Sequence, residues 1–144
     1  MRTTAIVWLL FPALASVAAP ALKEKNQEDR TRILGVWAQE SISLRGEDPQ
    51  GSNNTSTFKF DADGNCGITI GIGRAMPAVY SLDPQSSPRR MKWLNGPEKS
   101  EWICLYELTG DTLKVAFVDQ GTEPPTKLEP ARNLTIYYLR RVRE

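Results

Sequence analysis

The sequence predicts an all-β fold, an antiparallel barrel of eight short strands. Three observations lead there. Apolar and polar residues alternate in run after run, which is the period of a half-buried strand. Glycine, proline, aspartate and asparagine separate those runs at short intervals. No apolar pattern of helical period continues far enough for a long helix. A meander of this kind closes into a small barrel or folds as a sandwich, and the barrel is the reading adopted here. Eight strands enclose an interior that side chains fill, or one that holds a single small ligand.

The clearest pair of strands runs from Trp102 to Val118. Trp102, Cys104, Tyr106 and Leu108 share one face of the first strand, and Leu113, Val115 and Phe117 share one face of the second. Gly110-Asp111 supplies the turn, because glycine reaches positive φ without a Cβ clash.

The chain opens on an export signal over 1–18. Arg2 provides the positive start, Ala5 to Ala15 the apolar core, and Ser16-Val17-Ala18 the small residues for cleavage after Ala18. The apolar run is too short to span a bilayer and Pro12 interrupts it, so no membrane span is expected after cleavage. Residues 19–32 are polar and charged, a linker ending in a helical turn. The barrel domain is expected over 33–144.

Ile33 to Trp37 leads into a strand in which Ile42 and Leu44 face one way and Gln39, Ser41 and Ser43 the other. Thr55 to Asp61 follows, with Phe58 and Phe60 together and Lys59 opposite, then the turn Asp61 to Gly64. Asn65 to Gly73 alternates most cleanly. Cys66, Ile68, Ile70 and Ile72 lie on one face and Gly67, Thr69, Gly71 and Gly73 on the other. A face of glycines marks a bend, a bulge or a close neighbour against the backbone. Strands over 75–82 and 89–94 flank a rigid loop, Asp83 to Pro88. A long proline-rich loop, 120–132, precedes the closing strand, 133–143, in which Leu134, Ile136 and Tyr138 alternate with Thr135, Tyr137 and Leu139.

The chain has 18 basic and 17 acidic residues and no histidine. Near-neutrality gives no field to gather nucleic acid, so none is expected as a partner. The lack of histidine removes ordinary His-dependent acid–base catalysis and His-ligated metal sites. Serine and cysteine have no histidine base to activate them, and the chain is expected not to be an enzyme. No cofactor or metal is expected. Asp61, Asp63 and Asn65 hint at calcium, but the further ligands of such a loop are missing and a plain turn is the simpler reading. The cysteines, Cys66 and Cys104, read either as a disulfide in an oxidising compartment or as two buried thiols on separate strands.

Four segments carry a resemblance: Leu34-Gly35-Val36-Trp37, Leu82-Asp83-Pro84-Gln85-Ser86-Ser87-Pro88-Arg89, Tyr106-Glu107-Leu108-Thr109-Gly110-Asp111-Thr112-Leu113 and Tyr138-Leu139-Arg140-Arg141. In this order they resemble the uncharacterised lipocalin-like domain of exported planctomycete-type bacterial proteins. The resemblance implies a lipocalin-like barrel and a periplasmic or secreted location, and it brings no catalytic residues with it. Gly35-x-Trp37 also resembles the signature of the first lipocalin strand, whose tryptophan packs under an arginine of the last strand. Arg140 or Arg141 would fill that role.

Function is read from the aromatic supply. Phe58, Phe60, Tyr80, Trp93, Trp102, Tyr106 and Phe117 are the candidates to line a cavity for a small apolar or amphipathic molecule. The alternative is a barrel whose aromatics fill the core and which acts as a structural or protein-interaction domain. In that case the loop at Pro124-Pro125 would offer a stiff contact surface for a protein partner.

Overall fold

The alternation in the sequence is realised as eight strands in a computed structural model that describes residues 27–51, 55–98 and 100–143. The expected export signal and the first part of the linker lie outside the described residues. The strands are β1 (Gly35–Leu44), β2 (Ser56–Phe60), β3 (Asn65–Ile70), β4 (Met76–Asp83), β5 (Arg89–Asn95), β6 (Ser100–Thr109), β7 (Thr112–Val118) and β8 (Leu134–Arg141). Each pairs antiparallel with the next, and β8 pairs back onto β1, so the sheet closes into a lipocalin-like barrel with no free edge.

Closure gives the molecule two ends. The β2–β3, β4–β5 and β6–β7 turns gather at one, together with a short helix, α1, over 27–32. The long loop between β1 and β2, the β3–β4 and β5–β6 turns and the loop over 119–133 gather at the other. The first end is plugged by α1, so we call it the closed end. Asp29 and Ile33, one helical turn apart, are both buried there.

Side chains divide cleanly between two apolar clusters. Inside the barrel lie Trp37, Phe58, Phe60, Met91, Trp93, Cys104, Tyr106, Leu113, Val115 and Leu139. Outside it, Leu105, Ala116, Val118, Leu134 and Ile136 form a second cluster, against which Leu128 and Ala131 of the long loop pack. The proline-rich loop is therefore a strap laid over the outer face of β6–β8, mostly exposed on its own outer side, with Pro124 and Pro125 half-buried. Asn133 holds the strap by donating from Nδ2 to Thr122 Oγ1 at 3.2 Å and to the Glu123 carbonyl at 3.1 Å.

Two expectations change and one open alternative is resolved. In β1 the register with β8 shifts between Gln39 and Ser41, a bulge at Glu40. An extra residue switches the side-chain phase. Gln39 therefore opposes Leu139 inside the barrel while Ser43 opposes Ile136 outside it, and the two do not share a face. In the glycine-rich run, β3 ends at Ile70. Gly71 has φ +57°, and the chain turns there, so Cys66 and Ile68 point inward whereas Ile72 sits exposed on the turn. Cys66 and Cys104 are both buried as free thiols, so the second of the two readings describes them and no disulfide joins them.

Candidate functional site

The barrel interior was the expected site, and most of its predicted residues meet there edge to face. Phe60 packs against Tyr80 with ring centroids 5.0 Å apart and against Trp93 at 6.1 Å. Trp93 also meets Phe58 at 6.2 Å and Phe117 at 5.5 Å. Phe117 continues to Trp102 at 6.4 Å and to Tyr137 at 5.8 Å, and Tyr137 returns to Phe58 at 5.0 Å. All seven contacts are T-shaped, the geometry in which a ring's positive edge meets a negative face. The register explains the web. Tyr80, Trp93 and Trp102 stand abreast on β4, β5 and β6, and Phe117 stands abreast of Cys104 on β6 and β7.

Burial within the web is graded. Phe58, Phe60 and Trp93 are fully buried, while Tyr80, Trp102, Phe117 and Tyr137 keep some exposure. Tyr137 was not among the expected lining residues. Its alternation with Leu134, Ile136 and Tyr138 was visible, but only the pairing of β8 with β1 and β7 shows which side of the barrel it faces.

Tyr106 takes a different place from the other predicted aromatics. It lies at the closed end and donates its phenol proton to Asp29 Oδ2 at 2.7 Å. Arg89 donates to both oxygens of the same carboxylate at 3.1 Å. Burial, then the bond to Asp29, pushes the Tyr106 phenol well above its usual range. This trio, its carboxylate and phenol buried and its guanidinium partly exposed, fastens α1 to β5 and β6. Asp29 falls in the part of the sequence read as a linker. Its only signal there is a place one helical turn before the apolar Ile33.

The closing signature is present at the same end. The Arg141 guanidinium lies 4.3 Å from the Trp37 ring centroid. It also donates to the Leu34 carbonyl at 2.7 Å and to the Arg32 carbonyl. Trp37 donates from Nε1 to the Ile33 carbonyl at 2.8 Å. Gly35 has φ +112°, and a Cβ there would lie 3.4 Å from Arg141 Nη1. A side chain at 35 would thus be strained and would crowd the guanidinium. Of the two candidates, Arg141 covers the tryptophan, whereas Arg140 turns outward to Glu40. Gly110, at φ +56°, makes the β6–β7 turn, and Asp111 beside it receives Arg143 and Arg141. Arg143 holds the Asp111 carboxyl below the usual carboxylate range.

Two clefts lie near the closed end. One, of about 650 Å³, runs between α1 and the β2–β3 turn and is bordered by Arg30, Thr31, Asp63, Tyr80 and Ser81. Two of its hydroxyls are already engaged. Tyr80 donates to the Asp61 carbonyl at 2.8 Å and Thr31 to the Gln27 carbonyl at 3.0 Å. The other, of about 380 Å³, lies between the β4–β5 loop and Leu128 of the strap. Among the described residues no three Cys, Asp or Glu side chains converge for a metal. The Asp61 carboxylate serves its own turn, accepting from the backbone N–H groups of Asp63 and Asn65 at 2.9 Å.

Comparison of the chain with family models, with curated proteins and with solved structures finds no match.

Proposed function

We propose that this is an exported lipocalin-like barrel with a filled core, acting as a structural or protein-interaction module. The observation that carries the reading is the aromatic web. A ligand inside would have to part Phe58, Phe60 and Trp93 from rings they touch edge to face. Each such pair contributes about 0.5–1.5 kcal/mol beyond its buried area. The Asp29–Arg89–Tyr106 trio blocks the closed end in addition. Export and kinship with the uncharacterised planctomycete-type family belong to the same proposal, supported by the leader-like start of the chain and the four matching segments.

A second reading rests on one feature. Trp102, Phe117, Tyr137 and Ile68 are only partly buried, and they would form an apolar floor for a small molecule entering from the open end. Titration with an environment-sensitive apolar dye separates the two. The filled-core reading expects no saturable energy transfer from tryptophan. Saturable, one-to-one transfer abolished by Trp102→Ala would replace it with the ligand-binding reading.

A further inference from the structure

The β3–β4 hairpin carries an apolar projection that the fold does not use. Ile72, at its turn, is 107% exposed, and Ile70 and Met76 beside it are 48% and 45% exposed. The turn is held tight by a bond from the Gly73 N–H to the Ile70 carbonyl at 3.1 Å. Gly71 sits at positive φ, and a Cβ on Gly73 would come within 3.1 Å of the Ile70 carbonyl oxygen. The tight turn through the two glycines leaves Ile72 at its tip, exposed to solvent. Single exposed aliphatics are ordinary. Here three share one hairpin, and the whole segment 64–82 contains no acidic residue and a single cation, Arg74.

The same hairpin also carries a receptor. On the outer face of β2–β4 a shallow, mainly apolar hollow of about 330 Å³ opens over Gly67, bordered by Val36, Thr57, Ala75 and Pro77. Lys59 and Asp61 stand at its margin. The hollow exists because position 67 has no side chain. A knob and a fitting hollow on one surface element allow two copies to satisfy each other about a twofold axis.

We propose that the chain associates with a second copy through this hairpin, Ile72 of each seated over Gly67 of the other. Charge favours the pairing. Arg74 travels with the knob, and Asp61 at the hollow uses Oδ1 for its own turn, leaving Oδ2 for an incoming guanidinium. Lys59 repels Arg74 and so directs it toward the Asp61 side. The contact is small, which places it among weak, transient interfaces. It stands whether or not the open end takes a ligand.

Sedimentation velocity from micromolar to millimolar concentration tests the proposal. The full chain is expected to move toward twice its monomer mass as concentration rises. Ile72→Ser removes both knobs of the twofold pair and is expected to weaken association about a hundredfold or more, the equivalent of two buried isoleucines. Gly67→Val fills the hollow. A Cβ there meets only ordinary contacts, 3.5 Å to the Met76 carbonyl and 3.8 Å to Ala75, so the fold tolerates it. Gly67→Val alone is expected to abolish association, and mixing the two variants to restore part of it, since one intact knob then meets one intact hollow. Monomers at every concentration would overturn the proposal, as would association unchanged in both variants. Monomers that bind phospholipid vesicles in an Ile72-dependent way would overturn it too, assigning the tip to a membrane surface.

Discussion

At the scale of single residues, the molecule separates polar groups that hold the barrel shut from thiols that do nothing until they ionise. Asp29 is the most consequential of the first kind. Its buried carboxylate accepts from Arg89 and Tyr106 together, so removing it leaves a largely buried guanidinium and a buried phenol without their acceptor. Asp29→Ala should therefore lower unfolding free energy by about 2–4 kcal/mol, read as a reduced urea midpoint. A loss within a few tenths of a kcal/mol would show that α1 does not plug the barrel. Replacing all three partners by apolar residues should recover much of the loss, because no group is then left unpaired. The thiols behave differently. Burial, reinforced by Asp61, pushes the Cys66 thiol up to about 12, and burial raises Cys104 in the same direction. A group whose value is raised on folding contributes stability that is intact below its unfolded value, near 9.0, and lost as pH climbs through the folded one. Stability should fall between pH 9 and 12, with Cys66 contributing up to about 1.4 kcal/mol per pH unit. Urea titrations of Cys66→Ala should show a flatter decline. An identical slope would mean that the thiol is not held protonated.

At the scale of elements, the strap decides how much apolar surface the barrel shows. Leu128 and Ala131 cover Leu105, Ala116, Val118, Leu134 and Ile136, and the strap ends in a bond from the Leu134 N–H to the Ala131 carbonyl at 3.0 Å. Leu128→Ala should cost about 1–2 kcal/mol and quicken amide hydrogen exchange across 119–133. Unchanged exchange would mean that the loop keeps its place by backbone bonds alone. The strap also marks where reading the sequence stops. All eight strands were legible, because period-two patterning and Gly-Asp or Asp-Gly turns are local signals. The pairing of Leu134, Ile136 and Tyr138 on one face was legible as well. That this face lies outside the barrel was not, since a covering loop makes an outer face as apolar as an inner one. The Glu40 bulge was hidden for a related reason. Nothing in Gln39-Glu40-Ser41 distinguishes a strand that keeps its phase from one that slips it. Of the aromatics read from composition and alternation, six meet in the interior web, while Tyr106 stands apart from it. Asp29 was missed because its partners lie 60 and 77 residues away.

At the scale of the whole molecule, the barrel is a ring of pairings closed by β1 against β8, and Arg141 sits at that seam. It lies over Trp37 of β1, bonds the carbonyls of Leu34 and Arg32 at the end of α1, and faces Asp111 of the β6–β7 turn at 3.5 Å. One side chain thus joins the first strand, the last strand, the plug and a distant turn. A planar guanidinium can stack on indole and donate to two carbonyls at once, which an ammonium cannot. Arg141→Met should therefore lower stability by about 2–3 kcal/mol, combining a cation–π contact with charged hydrogen bonds to the backbone. Arg141→Lys should recover less than half of that, although it keeps the charge. The decisive measurement follows far-ultraviolet and near-ultraviolet circular dichroism through the same urea series. In the wild type the two transitions should coincide, because a closed sheet and the aromatic web inside it are lost together. Arg141→Met removes stability but leaves the sheet closed, so it should shift both signals equally while keeping them superimposed. Aromatic signal lost well before strand signal would mean that the interior packing loosens while the strands persist, so that Arg141 couples the web to the sheet as well as adding stability.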